Sequence, residues 1–244
     1  MKIKMALSLF SLLLAYQDAF ACTDASVITQ LNNIETQKLL SNAPTLKQAW
    51  QDKALSIQFK NAKAESGACT ASVEIHLPQT DLDEANQHLD QNPAKRILVA
   101  AQGYAIPEQA TIEAPFSYQI IDGKVSASDP NTAELKALHN NLEYTYQLLA
   151  QLRVNVDEHT TNKTAWNQET IKAEVDNCGH SKAYQSQALG FCACRIEEVS
   201  KVISTKQMEL IHYIETQPFS VATGSLNGFH KLNEKIDAAC ANQR

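Results

Sequence analysis

Residues 69–77 read CTASVEIHL, and this short stretch decides the fold. Cys69, Ala71, Val73, Ile75 and Leu77 alternate with Thr70, Ser72, Glu74 and His76. A period of two puts the first set on one face of a strand and the second set on the other, so the stretch predicts a strand with one buried and one polar face. Leu55, Ile57 and Phe59 alternate in the same way just upstream, and Ser66-Gly67 supplies turn chemistry between the two runs. An antiparallel pair is expected. Downstream, APFSYQIIDGKVSAS at 114–128 is a second hairpin candidate, because Asp122-Gly123 is among the strongest short turn signals.

The period changes on either side of these strands. Val27, Leu31 and Ile34, with Ile28 and Leu39 close to the same stripe, predict an amphipathic helix that ends before Pro44. Asp81 followed by Glu84 resembles a capping box opening a short helix to about Asn92. RILVAA at 96–101 then reads as a buried strand. A helix first and a sheet after is an α+β pattern: an N-terminal helix packed on a small antiparallel sheet, followed by an all-helical, disulfide-stapled C-terminal region.

From Thr132 onward Leu135, Leu138, Leu142, Leu149, Leu152 and Val156 keep seven-residue spacing, broken at Thr145. Such a run describes either a coiled coil or a long helix packed in a small bundle, and the bundle is the plainer reading. The polar stretch DEHTTNKT at 157–164 separates it from a tail that looks helical to its end. There Ser204 and Gln207 form another capping box, and Phe229, Leu232, Ile236 and Cys240 mark the apolar face of the last helix. The expected organisation is a signal peptide at 1–21, an α+β module at 22–128, a long connecting helix at 129–160 and a helical cysteine-rich module at 161–244.

The opening segment, MKIKMALSLFSLLLAYQDAFA, joins Lys2 and Lys4 to an apolar run from Met5 to Tyr16 and a small-residue site at Ala19-Phe20-Ala21. This is the layout of a cleaved secretory signal, and the apolar run is short of the roughly 20 residues a membrane-spanning helix needs. Export to the periplasm is expected, with no transmembrane helix left after cleavage. Cys22 at the cleavage point raises the rival of a lipid anchor. Ala19 is a poor residue three places before a lipidated cysteine, and lipidation would leave an odd number of cysteines. All six cysteines, 22, 69, 178, 192, 194 and 240, follow the signal, and an even set in an exported chain reads as a disulfide framework.

Six cysteines allow fifteen connectivities. Positions two apart on a helix point about 200° away from each other, so Cys192 and Cys194 in GFCACR belong to two different bonds. Cys192 shares an apolar face with Ile196, Val199 and Ile203, which suggests Cys240 as its partner. Cys194 is then left to Cys178, and Cys22 to Cys69. Zinc held by Cys178, Cys192 and Cys194 with His180, His212 or His230 is the metal alternative, but a one-residue spacer matches zinc ligation poorly. A redox pair of the two-residue-spacer kind is absent.

The chain carries 21 basic and 27 acidic residues, a net charge of -6, and no basic run longer than Lys95-Arg96. Nucleic acid and anionic membrane surfaces are therefore poor partners. There is no glycine-rich phosphate loop, no zinc-protease helix motif and no nucleophile elbow, since GSLNG at 224–228 places its serine one position early. DLDEANQHLDQN at 81–92 starts like a calcium loop but lacks the sixth-place glycine and the twelfth-place glutamate. His76, His139 and the pair Glu197-Glu198 read as surface or core-edge groups. No catalytic residue, metal ligand or cofactor site is expected from these motifs.

Two parts carry a loose resemblance. The stretch from Cys22 to about Ala127, with LSIQFKNAKAESGACTASVEI and FSYQIIDGKV, resembles small exported bacterial proteins built from one helix and an antiparallel sheet. The tail, with its order Cys, aromatic-Cys-x-Cys, late Cys, is similar to a short helical module of bacterial envelope proteins. The resemblance implies a periplasmic address and no activity, and the insert from about Gln79 to Ala110 departs from the smaller pattern. The leading expectation is a disulfide-stabilised periplasmic protein that binds another macromolecule, most simply a protein of the cell envelope. The alternatives are an envelope hydrolase with a scattered site, and an inhibitor or immunity protein against an exported toxin.

Overall fold

The computed structural model describes residues 22–41, 44–65, 68–127, 132–157, 159–185, 187, 189–217 and 224–242. The expected signal segment at 1–21 and the expected turn at Ser66-Gly67 lie outside the described residues. The chain divides into two compact units, with the boundary between Leu149 and Ala150. The architecture is α+β, an antiparallel four-stranded sheet with helices and a helical C-terminal region that holds disulfides.

In the first unit, helix α1 (Ala25–Leu40) is followed by α2 (Pro44–Gln51) and the strands β1 (Ser56–Glu65) and β2 (Ala68–His76). Helices α3 (Gln79–Gln91) and α4 (Pro93–Ala101) come next, then β3 (Thr111–Ile121) and β4 (Lys124–Ser126). The sheet order is β1-β2-β3-β4, antiparallel throughout. Its register places Phe59 opposite Val73 and Val73 opposite Ala114, while Ala71 faces Phe116 and Cys69 faces Tyr118. The alternation in 69–77 therefore continues across three strands, and these apolar side chains are buried. Phe59 and Phe116 meet edge to face at 4.9 Å, a favourable arrangement for two rings. Val27, Leu31 and Leu39 of α1, with Leu135, Leu138, Leu142 and Tyr146 of α5 (Ala133–Arg153), complete the buried set. Burying a leucine contributes roughly 1.5–3 kcal/mol, so this apolar layer is the main stabilising term.

Local chemistry fixes the turns and the bends. Asp122 and Gly123 both have positive φ, 52° and 72°, which suits a two-residue hairpin between β3 and β4. The β1–β2 register shifts between Lys60 and Lys63, and Asn61 inside this bulge sits at φ 55°. Pro115 lies within β3, where a residue without an N–H is tolerated at a strand edge. The first helix ends at Leu40, but Pro44 opens α2, because proline's fixed φ also suits a helix start.

Two sequence expectations are corrected in this unit. RILVAA is not a strand: it lies in α4, with Pro93 in the first turn, and of that helix Val99 is the buried residue. Ile97 and Leu98 are 70% and 63% exposed. A short apolar run does not distinguish strand from helix, and here the proline start decides. Asp81 is not a cap either, since α3 begins at Gln79 and Asp81 is buried in its first turn. As to the heptads, Leu135, Leu138 and Leu142 are buried in the first unit, and Thr145 returns its hydroxyl to the carbonyl of Asn141 at 2.7 Å.

The second unit contains the end of α5, then α6 (Gln168–His180), α7 (Leu189–Val202), α8 (Thr205–Glu215) and α9 (Asn227–Cys240). Asn167 caps α6 by accepting from the N–H of Thr170 at 2.8 Å. Ser204 and Gln207 form the reciprocal capping box of α8. Trp166, Phe191, Ile196, Val199, Ile203, Ile211, Ile214, Phe229 and Ile236 make a continuous core. The Trp166 indole N–H donates to the carbonyl of Ile203 at 2.7 Å, which satisfies a buried donor. Among the described residues no helix is long and apolar enough to cross a membrane.

Three disulfides staple the chain. Cys22 joins Cys69, and the Tyr118 hydroxyl donates to the carbonyl of Cys22 at 2.6 Å, fixing the start of α1 against β2 and β3. The other two bonds are Cys178–Cys192 and Cys194–Cys240, which corrects the expected pairs Cys192–Cys240 and Cys178–Cys194. Cys192 and Cys194 do point to different neighbours, but the apolar face of α7 meets α6 as well as α9. Cys178, itself buried in the last turn of α6, lies closest to Cys192. The partly buried Cys194 turns toward α9.

Candidate functional site: the polar face of the sheet

The face of the sheet opposite the core is mostly polar, with Pro115 and Ile121 of β3 among its apolar members. Alternation puts Thr70, Ser72, Glu74 and His76 of β2 on it, and the register brings Gln58 and Lys60 of β1 and Thr111 and Glu113 of β3 alongside. Gln58, Lys60, Thr111 and Glu113 are exposed, Thr70, Ser72 and His76 are half-buried, and Glu74 is buried at the centre.

Glu74 organises the face. Its carboxylate takes the Lys60 ammonium at 2.5 Å, the His76 Nε2 at 2.6 Å and the Gln58 amide. The Lys60 contact dominates and, with His76 and Gln58, holds the carboxyl down at about 2 against the opposing effect of burial. On its other nitrogen, Nδ1, His76 meets the Thr111 hydroxyl at 3.0 Å. Both ring nitrogens are thus engaged and the imidazole is fixed in orientation.

Glu113 stands directly opposite Glu74 in the ladder. Like charges in that relation repel, and Lys60 compensates Glu74 alone. Glu113 is instead held by the Ser72 hydroxyl at 3.2 Å. Beside it lies an open depression of about 500 Å³, lined by Asn61, Lys63, Glu65, Thr70, Ser72 and Glu113, with Pro115 on the same face and Ala71 and Ala114 beneath. Lys63 is paired with Glu65 at 3.5 Å and Thr70 donates to Glu65 at 3.3 Å. The depression therefore carries an excess of carboxylate, centred on Glu113.

Thr111, His76 and Glu74 form a hydroxyl, imidazole and carboxylate in line, the order of an acyl-transfer relay. A strand's N–H groups lie in the sheet plane, however, and those of β2 are committed to its two neighbours. The backbone N–H groups of β2 therefore do not aim above Thr111.

The cysteines in the sequence-derived site serve as staples. With Cys22, Cys69, Cys178, Cys192, Cys194 and Cys240 all in disulfides, no thiolate is present among the described residues for zinc or for nucleophilic chemistry. The sulfur of Cys22, which a thioether-linked lipid would need, is bonded to Cys69. His139 pairs with Glu35, which is buried on α1. His212 pairs with Glu174 at 3.2 Å, and the two carboxylates of Glu174 and Glu215 lift its imidazole to about 9. Glu197 and Glu198 sit at 3.4 and 2.6 Å from Lys201 on an exposed helix face. The residues that sequence reasoning missed are Lys60, Gln58, Thr111 and Glu113, whose signal was present only in the strand register. Compared with protein-family models, curated proteins and solved structures, the chain matches none.

Proposed function

We propose that the protein is exported to the bacterial periplasm by a signal peptide at 1–21 and acts there by binding a protein partner through the polar face of its sheet. The single observation that carries this reading is the carboxylate of Glu113, which has no cation within ion-pair distance among the described residues, beside a depression on a face where Glu74 gathers Lys60, His76 and Gln58. A partner's lysine or arginine seated there would relieve the repulsion between Glu113 and Glu74 and form a charge-assisted hydrogen bond. The three disulfides suit an oxidising compartment and support the address. The domain plan that goes with this reading makes the α+β module the binding part and the cysteine-rich helices a separately stapled one. An inhibitor or immunity role would be a special case, with the toxin supplying the cation.

The test is affinity capture from periplasmic extract with the wild type, with Glu113→Lys and with Lys172→Glu, an exposed substitution on α6 that serves as a control. A partner retained by the wild type and the control but lost by Glu113→Lys is the expected result. Equal capture by all three would overturn the assignment of this face.

A further inference from the structure

In the second unit, the first two turns of α9 run against the segment that follows α5. Gly228 makes this approach feasible: a Cβ there would lie 1.8 Å from the carbonyl oxygen of Val156. The two segments enclose a groove of about 440 Å³ lined by Val156, Asp157, His159, Gly228, Lys231, Leu232 and Lys235. Residues 228, 231, 232 and 235 recur on one helical face, so both lysines overlook the groove.

Among the described residues that line this groove, two lysines stand against one carboxylate, the reverse of the acidic chain. Lys231 and Lys235 are exposed, one helical turn apart, and neither has an acidic partner within ion-pair distance among the described residues. Like charges at that spacing destabilise a helix. Asp157 is the acid that lines the groove, and it is turned to its own loop. Its carboxylate accepts the His159 N–H at 2.9 Å and the Thr160 hydroxyl at 3.0 Å, and these bonds hold it below the usual carboxylate range. Glu158, next in the chain, lies outside the described residues. Beneath the lysines, Val156 and Leu232 give an apolar floor.

From this combination we infer that the groove binds an amphiphilic carboxylate, with its head between Lys231 and Lys235 and a short aliphatic chain over Val156 and Leu232. A bare anion would leave most of the volume empty, and a neutral aliphatic molecule would leave the lysine pair unrelieved. The volume falls in the range of pockets that hold small organic ligands.

Calorimetric titration of the full exported protein with hexanoate, hexanamide and acetate tests this. Hexanoate should bind saturably with Kd below about 1 mM, with hexanamide and acetate each weaker by about tenfold. Lys231→Gln/Lys235→Gln, two exposed substitutions that should leave the melting temperature unchanged or slightly raised, should weaken hexanoate by about tenfold or more. No saturable hexanoate binding, equal binding of hexanamide, or full binding by the double variant would each overturn the inference. The sheet-face reading stands or falls separately, because Glu113→Lys should leave hexanoate binding intact.

Discussion

Gly228 offers the sharpest perturbation of the second unit. In Gly228→Ala the new Cβ would sit 1.8 Å from the Val156 oxygen and 3.0 Å from its carbonyl carbon. An ordinary carbon–oxygen contact is about 3.2 Å or longer, so α9 and the Val156 backbone must separate by about 1.4 Å. Neither side yields by a rotamer change, since the obstacle is backbone, and Phe229 and the Cys194–Cys240 bond pin α9 to the core. Overpacking of this kind costs about 1–3 kcal/mol. Replacing a helical glycine by alanine returns up to about 1 kcal/mol. The net expectation is a loss of about 1–2 kcal/mol, which for a unit of this size lowers Tm by roughly 5–15 °C. Gly179→Ala is the matched control, because its Cβ meets nothing within 4 Å, and it should leave Tm unchanged or slightly raised. Calorimetric melting of both variants with disulfides intact decides the matter. A Gly228→Ala protein as stable as wild type would refute the close approach of α9 to Val156.

Other perturbations address the staples and the charged groups. Removing Cys194–Cys240 as the double serine variant opens a bond that spans 46 residues in sequence, and the unfolded chain should gain entropy worth about 4 kcal/mol, read by denaturant unfolding. His212, raised to about 9 by Glu174 and Glu215, contributes stability that is fully present below its unfolded value near 6.5 and is lost as pH rises through about 9. Surface screening reduces that contribution to about 1 kcal/mol, so His212→Gln should be less stable than wild type near neutrality and equal to it above pH 10, in urea melts across that range. Glu74 is depressed to about 2, chiefly by Lys60, so its contribution is present above the ordinary carboxylate range and lost as pH falls through about 2. In acid titrations Glu74→Gln should be less stable than wild type at pH 6, with the gap closing between about pH 4 and 2.

Much of this architecture can be read from local periodicity. Cys69 to Leu77 gives a strand because its side chains alternate, and Val27, Leu31 and Leu39 give a helix because theirs recur every turn. Ser204 and Gln207 announce a helix start through a reciprocal pair of hydrogen bonds that involves only four residues. Local signals fail where two structures share one pattern. RILVAA satisfies both a buried strand and one side of a helix, and the proline at 93 decides between them. The cysteine pairing fails for a different reason: which helix lies beside Cys192 depends on how three helices pack, and no periodicity within α7 carries that information.

The candidate site shows the same division. That Glu74 and His76 share an outward face follows from alternation alone. That Lys60 and Gln58 reach Glu74 depends on a bulge at Asn61, and that Glu113 stands opposite Glu74 depends on how β3 registers with β2. Both are long-range facts. The lysine groove is further from view, since it needs Gly228 to bring two segments together that lie about 70 residues apart.

The most direct measurement of the central claim is photo-cross-linking in intact cells, with a photoreactive residue placed at Glu113 and, separately, at exposed Lys172. The account predicts a discrete, reproducible adduct from position 113 that is absent from position 172 and weakened at high salt. No adduct at 113, or the same adduct from both positions, would contradict it.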